Sequence, residues 1–184
     1  RPSCPGRFGP AIRCKGLAKK FGKRKMRVGT DCSGIEAPLW ALRNLGIPFE
    51  HVFSSEKCPN ARKMICANFS PRHLFKDITA REHAPPVDLY VAGWPCQGNS
   101  TLGKRLGLGD FRSLVFWSVI GYMREHRPKL VLLENVANLL HIRAGQDMAI
   151  VLETLEQLNY NIYWRVLNTK DHGIPQNRPR LYIV

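Results

Sequence analysis

The sequence has no apolar run approaching the roughly 18 residues of a membrane-spanning helix, and no apolar stretch follows its basic start in the manner of a secretory signal. An intracellular protein is therefore expected, nuclear in a eukaryote and cytoplasmic otherwise. Cysteine is present at positions 4, 14, 32, 58, 66 and 96, but without a Cys-x-x-Cys pair or a Cys/His cluster at zinc spacing. That pattern argues against a disulfide framework and against a structural metal. Acidic residues are scarce: 14 Asp and Glu face 28 Lys and Arg, a formal net charge of +14. Such an excess points to a polyanionic partner, because phosphate neutralisation is its usual use. Apolar and aromatic residues are not lacking. With 44% hydrophobic residues, eight Phe and four Trp, the 184-residue chain is excluded from the disordered and low-complexity classes and is long enough for one domain with a sizeable core.

The charge is unevenly spread. Residues 1–27 hold ten basic and no acidic side chains, so the remaining 157 residues carry only +4. Pro2, Pro5, Pro10, Gly6, Gly9, Gly16 and Gly22 interrupt any apolar period there, and residues 1–27 read as a basic, flexible arm ahead of a domain over 28–184. The Lys19-Lys20 and Lys23-Arg24-Lys25 groups suit a nuclear localisation signal, a nucleic-acid contact or a merely solvated tail. A start at Arg1 and a stop within the apolar run Leu181-Tyr182-Ile183-Val184 give the expectation of a C-terminally truncated piece.

Beyond residue 27, short apolar or β-branched runs alternate with longer stretches of helical period, which predicts an α/β fold of parallel strands and crossover helices. Strands are expected at Met26–Thr30, His51–Ser55, Leu89–Gly93, Leu130–Glu134, Tyr163–Asn168 and Leu181–Val184, with a weaker one at His73–Phe75. The first helix has Pro38 at its start, Leu39, Leu42 and Leu45 on one stripe, and Gly46 as its left-handed stop. The second runs from Pro59 to about Phe69. Val115, Phe116, Val119, Ile120 and Met123 mark the third, and Met148, Val151, Leu152, Leu155 and Leu158 the fourth. These stripes are core. Ligands of such sheets gather beyond the carboxyl ends of the strands, where the chain places Asp31 through Glu36, then Glu56, Asp77-Ile78, Pro95-Cys96-Gln97 and Glu134-Asn135-Val136. Acidic groups closing the second and third strands suit a nucleoside: one carboxylate accepts from ribose hydroxyls and another from an adenine amino group. Gly34, in the turn after the first strand, permits close approach of a ligand to the backbone.

These residues resemble the cytosine-5 DNA methyltransferases. Gly93-Trp94-Pro95-Cys96-Gln97-Gly98-Asn99-Ser100 resembles the family's Pro-Cys-Gln nucleophile loop, Glu134-Asn135-Val136 its Glu-Asn-Val segment, and Pro175-Gln176-Asn177-Arg178-Pro179-Arg180 its Gln-x-Arg-x-Arg segment. The three stand in the family's order, and the likeness runs from about Val28 to Val184. It implies the S-adenosylmethionine-dependent Rossmann-like fold, a mostly parallel sheet with helices on both faces, and S-adenosyl-L-methionine as cofactor. Cofactor contacts fall on Ser33, Gly34, Ile35, Glu56, Asp77, Ile78 and Pro95. The partner is DNA with its target cytosine flipped out of the helix. The tRNA-methylating branch of the family makes RNA an alternative substrate, and an inactive nucleic-acid or cofactor-binding piece is a third reading. The likeness does not extend to the family's target-recognition domain or final segment, and Cys32, Glu36 and Ala37 depart from its usual aromatic and glycine residues, as does Asn99.

The chemistry needs these residue types together. Carbon 5 of cytosine attacks a methyl sulfonium only after a thiolate has added at carbon 6, and Cys96, after a strand end and Pro95, is the expected nucleophile. Ordinary free cysteines, commonly buried, are expected at Cys32, Cys58 and Cys66. Addition moves electrons onto ring nitrogen 3, where Glu134, at the end of an apolar strand, is expected to supply a proton or hydrogen bond. Arg180 is implied to meet the exocyclic oxygen and Arg178 to support the site. Gln97, Ser100, Lys104 and Arg105 are expected to touch nucleic acid, the last three from a glycine-rich stretch suited to closing over a flipped base, or equally to a plain connector.

Overall fold

Eleven main elements follow from the local sequence: β1 (Met26–Asp31), α1 (Ala37–Asn44), β2 (Phe49–Ser55), α2 (Pro59–Asn68), β3 (His73–Phe75), β4 (Leu89–Ala92), α3 (Ser113–His126), β5 (Leu130–Val136), α4 (Gln146–Gln157), β6 (Trp164–Asn168) and β7 (Pro179–Ile183). The structure, a computed structural model, describes residues 24–95 and 113–184. Most of the expected arm lies outside these residues, and Met26 and Arg27 open β1. Among the described residues no helix is long and apolar enough to cross a membrane.

Helix boundaries follow from proline and glycine. Proline stands in the first turn of both α1 and α2, where its missing N–H costs nothing. Gly46 takes a left-handed φ of 67° just past α1, its N–H bonded to the Arg43 carbonyl at 3.1 Å. Leu39 and Leu42 are buried as expected, whereas Leu45 is 43% exposed because the helix stops before its stripe turns back to the sheet.

The strands form one seven-stranded sheet in the order β3-β2-β1-β4-β5-β7-β6. Neighbours from β3 to β5 run parallel. The sheet is mostly parallel, as expected, and the exception is β7, which inserts antiparallel between β5 and β6. A short turn at Thr169–His172 and the following loop suffice for that return, whereas a parallel neighbour would need a long crossover. Glu134-Asn135-Val136 therefore lies inside β5, where β7 pairs with it, and not beyond the strand.

Side chains alternate across the sheet, so the sheet as a whole feeds two cores, one on each face. Val28, Leu89 and Val91 pack with Leu39 and Leu42 of α1 and with Phe69 on one face. Phe53, Tyr90, Leu133 and Leu181 pack with Phe116, Val119 and Ile120 of α3 and Val151 and Leu155 of α4 on the other. Full burial of each such side chain contributes about 1.5–3 kcal/mol. An exposed pair such as Arg72–Glu50, at 2.8 Å with the arginine 68% exposed, contributes about 1 kcal/mol at most, so the two cores carry the fold.

The order reverses at β1: β2 and β3 lie to one side, β4 and β5 to the other. At such a switch point the two neighbouring loops diverge and leave a crevice. Close approach here needs Gly29, since a Cβ at this position would lie 2.2 Å from Cε1 of the buried Phe53 ring. Gly29→Ala is expected to destabilise the fold by about 1–3 kcal/mol through overpacking, read as a lowered urea midpoint at unchanged slope.

Candidate active site and cofactor cleft

Two cavities open along the carboxyl edge of the sheet and meet at Cys32 and Gly93, on either side of the switch point. One, of about 650 Å³, is lined by Glu56, Asp77, Ile78 and Pro95. The other, of about 490 Å³, is lined by Ser33, Gly34, Ile35, Glu134, Arg178 and Arg180. Every site residue expected from the sequence and lying among the described residues thus falls on one cavity or the other. Cys96, Gln97, Ser100, Lys104 and Arg105 lie outside the described residues.

The larger cavity has an acidic rim. Glu56 follows β2 and accepts from the Gly34 N–H at 2.7 Å and the Cys58 N–H at 2.8 Å, which fixes the carboxylate at the mouth. Asp77 follows β3; the backbone N–H and hydroxyl of Thr79 donate to Oδ1, and Lys57 stands 3.3 Å from Oδ2. Those hydrogen bonds, led by the backbone N–H, hold the Asp77 carboxyl below its ordinary range. Ile78 is buried beside it and Pro95 is exposed.

Between β1 and α1 the loop alternates: Cys32, Gly34 and Glu36 take φ of 53°, 55° and 63°. A side chain in that conformation costs on the order of 1 kcal/mol, so non-glycine residues persist there only when other contacts hold them. Ser33 is tied to β2 through its N–H, 3.2 Å from the Ser55 carbonyl. Burial, followed by the charge of Asp31, pushes the Cys32 thiol up to about 12. It is a neutral thiol at the junction of the cavities, in keeping with the ordinary role expected of it. Cys58 and Cys66 are free thiols as well, but exposed ones: Cys66 lies on the outer side of α2, and Cys58 immediately precedes the helix.

The smaller cavity joins β5 to β7. Arg180 Nε lies 2.9 Å from Glu134 Oε1, an ion pair made possible by the antiparallel register. The Glu134 side chain is 32% exposed, a partly desolvated carboxyl that faces a cation. Gly93 leaves it room, since a Cβ there would stand 3.2 Å from Glu134 Oε2. Arg178 is exposed on the cavity wall, its backbone N–H held by Asn168 Oδ1 at 2.9 Å.

Several participants escaped the sequence reading. Asn135 is buried and donates from Nδ2 to the Trp94 carbonyl at 3.2 Å, which anchors the backbone two residues before Cys96. Tyr182 faces the smaller cavity; burial first, then the charge of Glu134, raises its phenol. Arg81, 6% exposed, pairs with the wholly buried Asp31, donates to Ser55 Oγ at 2.8 Å, and stacks near the rings of Phe53, Tyr122 and Phe75. The second oxygen of Asp31 accepts from the Tyr90 hydroxyl. Nothing local marks these residues, since their partners lie up to 59 positions away. Among the described residues no cluster of His, Cys, Asp and Glu is arranged to hold a metal ion.

A parallel sheet with one antiparallel insertion and a cleft at its switch point matches the fold of a solved methyltransferase, Dnmt2 of S. pombe. The likeness has a TM-score of 0.68 at 22% identity and covers 86% of this chain and 50% of that one. Among curated relatives, the chain is 44% identical over 136 residues to the type II methyltransferase M.NgoBI of Neisseria gonorrhoeae, covering 73% of this chain and 43% of that protein. It is 40% identical over 152 residues to M.NlaIV of Neisseria lactamica (78% and 36%). With the orphan methyltransferase M.SPRI of Bacillus phage SPR it shares 37% over 164 residues (87% and 37%). The family model described as C-5 cytosine-specific DNA methylase matches residues 27–184. The architecture is therefore that of an S-adenosylmethionine-dependent, Rossmann-like methyltransferase. Within that class the chain belongs to the C-5 cytosine-specific DNA methylase family. It spans well under half the length of these curated relatives.

Two outcomes test this description. Arg81→Met is expected to cost about 3–5 kcal/mol in chemical denaturation, because Asp31 is left buried without its cation. The second concerns His51, whose Nε2 meets Ser54 Oγ at 2.7 Å and which burial holds down to about 4, against 6.5 for a free imidazole. Between these values the unfolded chain takes up a proton that the folded one refuses, so this residue lowers stability as pH falls, by at most about 3 kcal/mol. Glu36, the charged group facing it, is raised by burial and acts in the opposite direction on acidification. His51→Gln should therefore compare more favourably with the parent protein at pH 5 than at pH 7 in paired urea titrations.

Proposed function

We propose that this chain carries the catalytic centre of a DNA (cytosine-5-)-methyltransferase, with S-adenosyl-L-methionine as methyl donor and a flipped cytosine in duplex DNA as acceptor. The observation that carries the reading is the junction of the two cavities: the Glu134–Arg180 pair stands in one, the acidic rim of Glu56 and Asp77 in the other, and Gly93-Trp94-Pro95 runs between them into Cys96.

The residues suit the cofactor. Glu56 would accept from the ribose hydroxyls, Asp77 and Ile78 would take the adenine, Ser33, Gly34 and Ile35 the methionine portion, and Pro95 would close the cavity wall. When bound, the cofactor supplies an electrophilic methyl group on a sulfonium. The glycine at 34 and the acidic rim offer close backbone approach and negative charge toward such a cation.

The chain's own groups perform the rest. Cys96 adds through its thiolate to carbon 6, forming a carbon–sulfur bond and driving the ring's electrons toward nitrogen 3. Glu134 meets nitrogen 3 with a proton or hydrogen bond, and Arg180 holds both that carboxyl and the exocyclic oxygen, so the developing charge is met by groups already in place. Asn135 keeps the Trp94 carbonyl, and with it the root of the nucleophile loop, against β5. Arg178 supports the wall, while Gln97, Ser100, Lys104 and Arg105 meet the nucleic acid. After carbon 5 has taken the methyl group it loses its proton to a base, and the thiolate leaves. Flipping the base costs roughly a few kcal/mol, which contacts of this kind offset. An intracellular location, nuclear in a eukaryote, accords with such a substrate.

A duplex bearing 5-fluorocytosine tests the chemistry, because the fluorine cannot be removed as a proton. With the full natural chain and the cofactor, a denaturation-stable protein–DNA adduct is expected, and Cys96→Ser should form none while losing at least about a thousandfold in turnover. An adduct formed equally by Cys96→Ser would overturn the assignment of the nucleophile. Labelling of tRNA without labelling of duplex DNA would overturn the DNA substrate.

A further inference from the structure

Glu36 is wholly buried in the loop after β1 and holds the left-handed backbone at φ 63° and ψ 44°. Glycine would take that conformation without strain, so the glutamate side chain must be held by what it contacts. Its Oε1 accepts from Thr30 Oγ1 at 2.7 Å and from Ser54 Oγ, which ties the loop to β1 and β2 at once. Thr30 Oγ1 lies 2.8 Å from Ser33 Oγ, and Ser54 Oγ lies 2.7 Å from His51 Nε2. Ser33 is in turn bonded to the Ser55 carbonyl, and the next residue, Gly34, donates to Glu56. One carboxylate thus stands at the head of a chain of contacts that ends at the rim proposed to hold the ribose. The network is incomplete as it stands: Glu36 Oε2 and His51 Nδ1 are buried with no partner. Burial of unsatisfied polar atoms in a loop is costly, and here that loop also lines the smaller cavity.

Resting on the cofactor reading given above, we propose that Glu36 is a positioning residue for the cofactor: through Thr30, Ser54 and Ser33 its carboxylate fixes Ser33-Gly34-Ile35 in the shape that receives the methionine portion. It touches no reacting atom. Its effect is expected on cofactor affinity and not on the chemical step.

The test is calorimetric binding of S-adenosylhomocysteine and S-adenosylmethionine to the full natural chain, with steady-state kinetics alongside. Glu36→Gly keeps the left-handed backbone and deletes the carboxylate; it is expected to weaken binding at least tenfold and to raise the cofactor KM by the same factor, with kcat within about twofold at saturation. Thr30→Val should do the same, Thr30→Ser should restore parental binding, and the Glu36→Gly/Thr30→Val double variant should be no weaker than the worse single one. If Glu36→Gly does not fold, the Thr30 pair decides alone. Parental affinity in Glu36→Gly, or in Thr30→Val, overturns the proposal, as does a loss confined to kcat. If the parent protein binds neither ligand, the cofactor reading falls with it. If the parent binds and Glu56→Ala does not, while Glu36→Gly binds normally, this inference alone is wrong.

Discussion

Arg81 reaches back from the loop after β3 to a carboxylate, Asp31, at the end of β1, and the cleft is organised about that contact. Asp31 is wholly buried and Arg81 nearly so, and a buried pair of this kind repays its desolvation only when its remaining hydrogen-bonding capacity is used. Here it is used: Tyr90 donates to the second oxygen of Asp31, Arg81 reaches Ser55, and aromatic rings surround the guanidinium. Asp77 and Ile78 lie a few residues before Arg81, so the same clamp holds that wall of the larger cavity against β1. Cys32 follows Asp31 directly and marks the point where the two cavities join.

Charge is sorted along the edge. Carboxylates cluster at the ends of β2 and β3, arginines arrive on β7, and Gly93 separates the two groups at β4. In the proposed reaction a sulfonium and an electron-rich adduct would make opposite electrostatic demands, and a sheet edge with acidic and cationic halves suits both within one crevice. Strand direction provides the sorting. Parallel strands deliver their carboxyl ends to the edge, and the antiparallel β7 delivers its opening residues there, which is how Arg180 comes to lie beside Glu134.

Much of this was legible in the chain. Short apolar and β-branched runs located the strands, Pro38 and Gly46 bounded α1, and the residues picked out at the strand ends line the two cavities. Orientation was not legible at β7, because periodicity records which face a side chain takes and not which way the strand runs. Leu45 shows the limit of a stripe, which marks a face but not where the helix stops. The polar groups missed, Arg81, Asn135, His51 and Tyr182, depend on partners far along the sequence, and no spacing rule reaches them. Glu36 was noticed as a departure from glycine. Its contacts supply the reason: the backbone it adopts suits glycine, and the side chain supplies bonds that glycine lacks.

The insertion of β7 also makes the place of one strand depend on that of the next. β6 precedes β7 in the chain, yet among the described strands it touches the sheet through β7 alone. Without residues 179–183 on β5, β6 loses its place among the described strands and Glu134 the cation beside it. The two strands are therefore held as a unit, and a change that loosens β7 withdraws β6 as well and opens one wall of the smaller cavity.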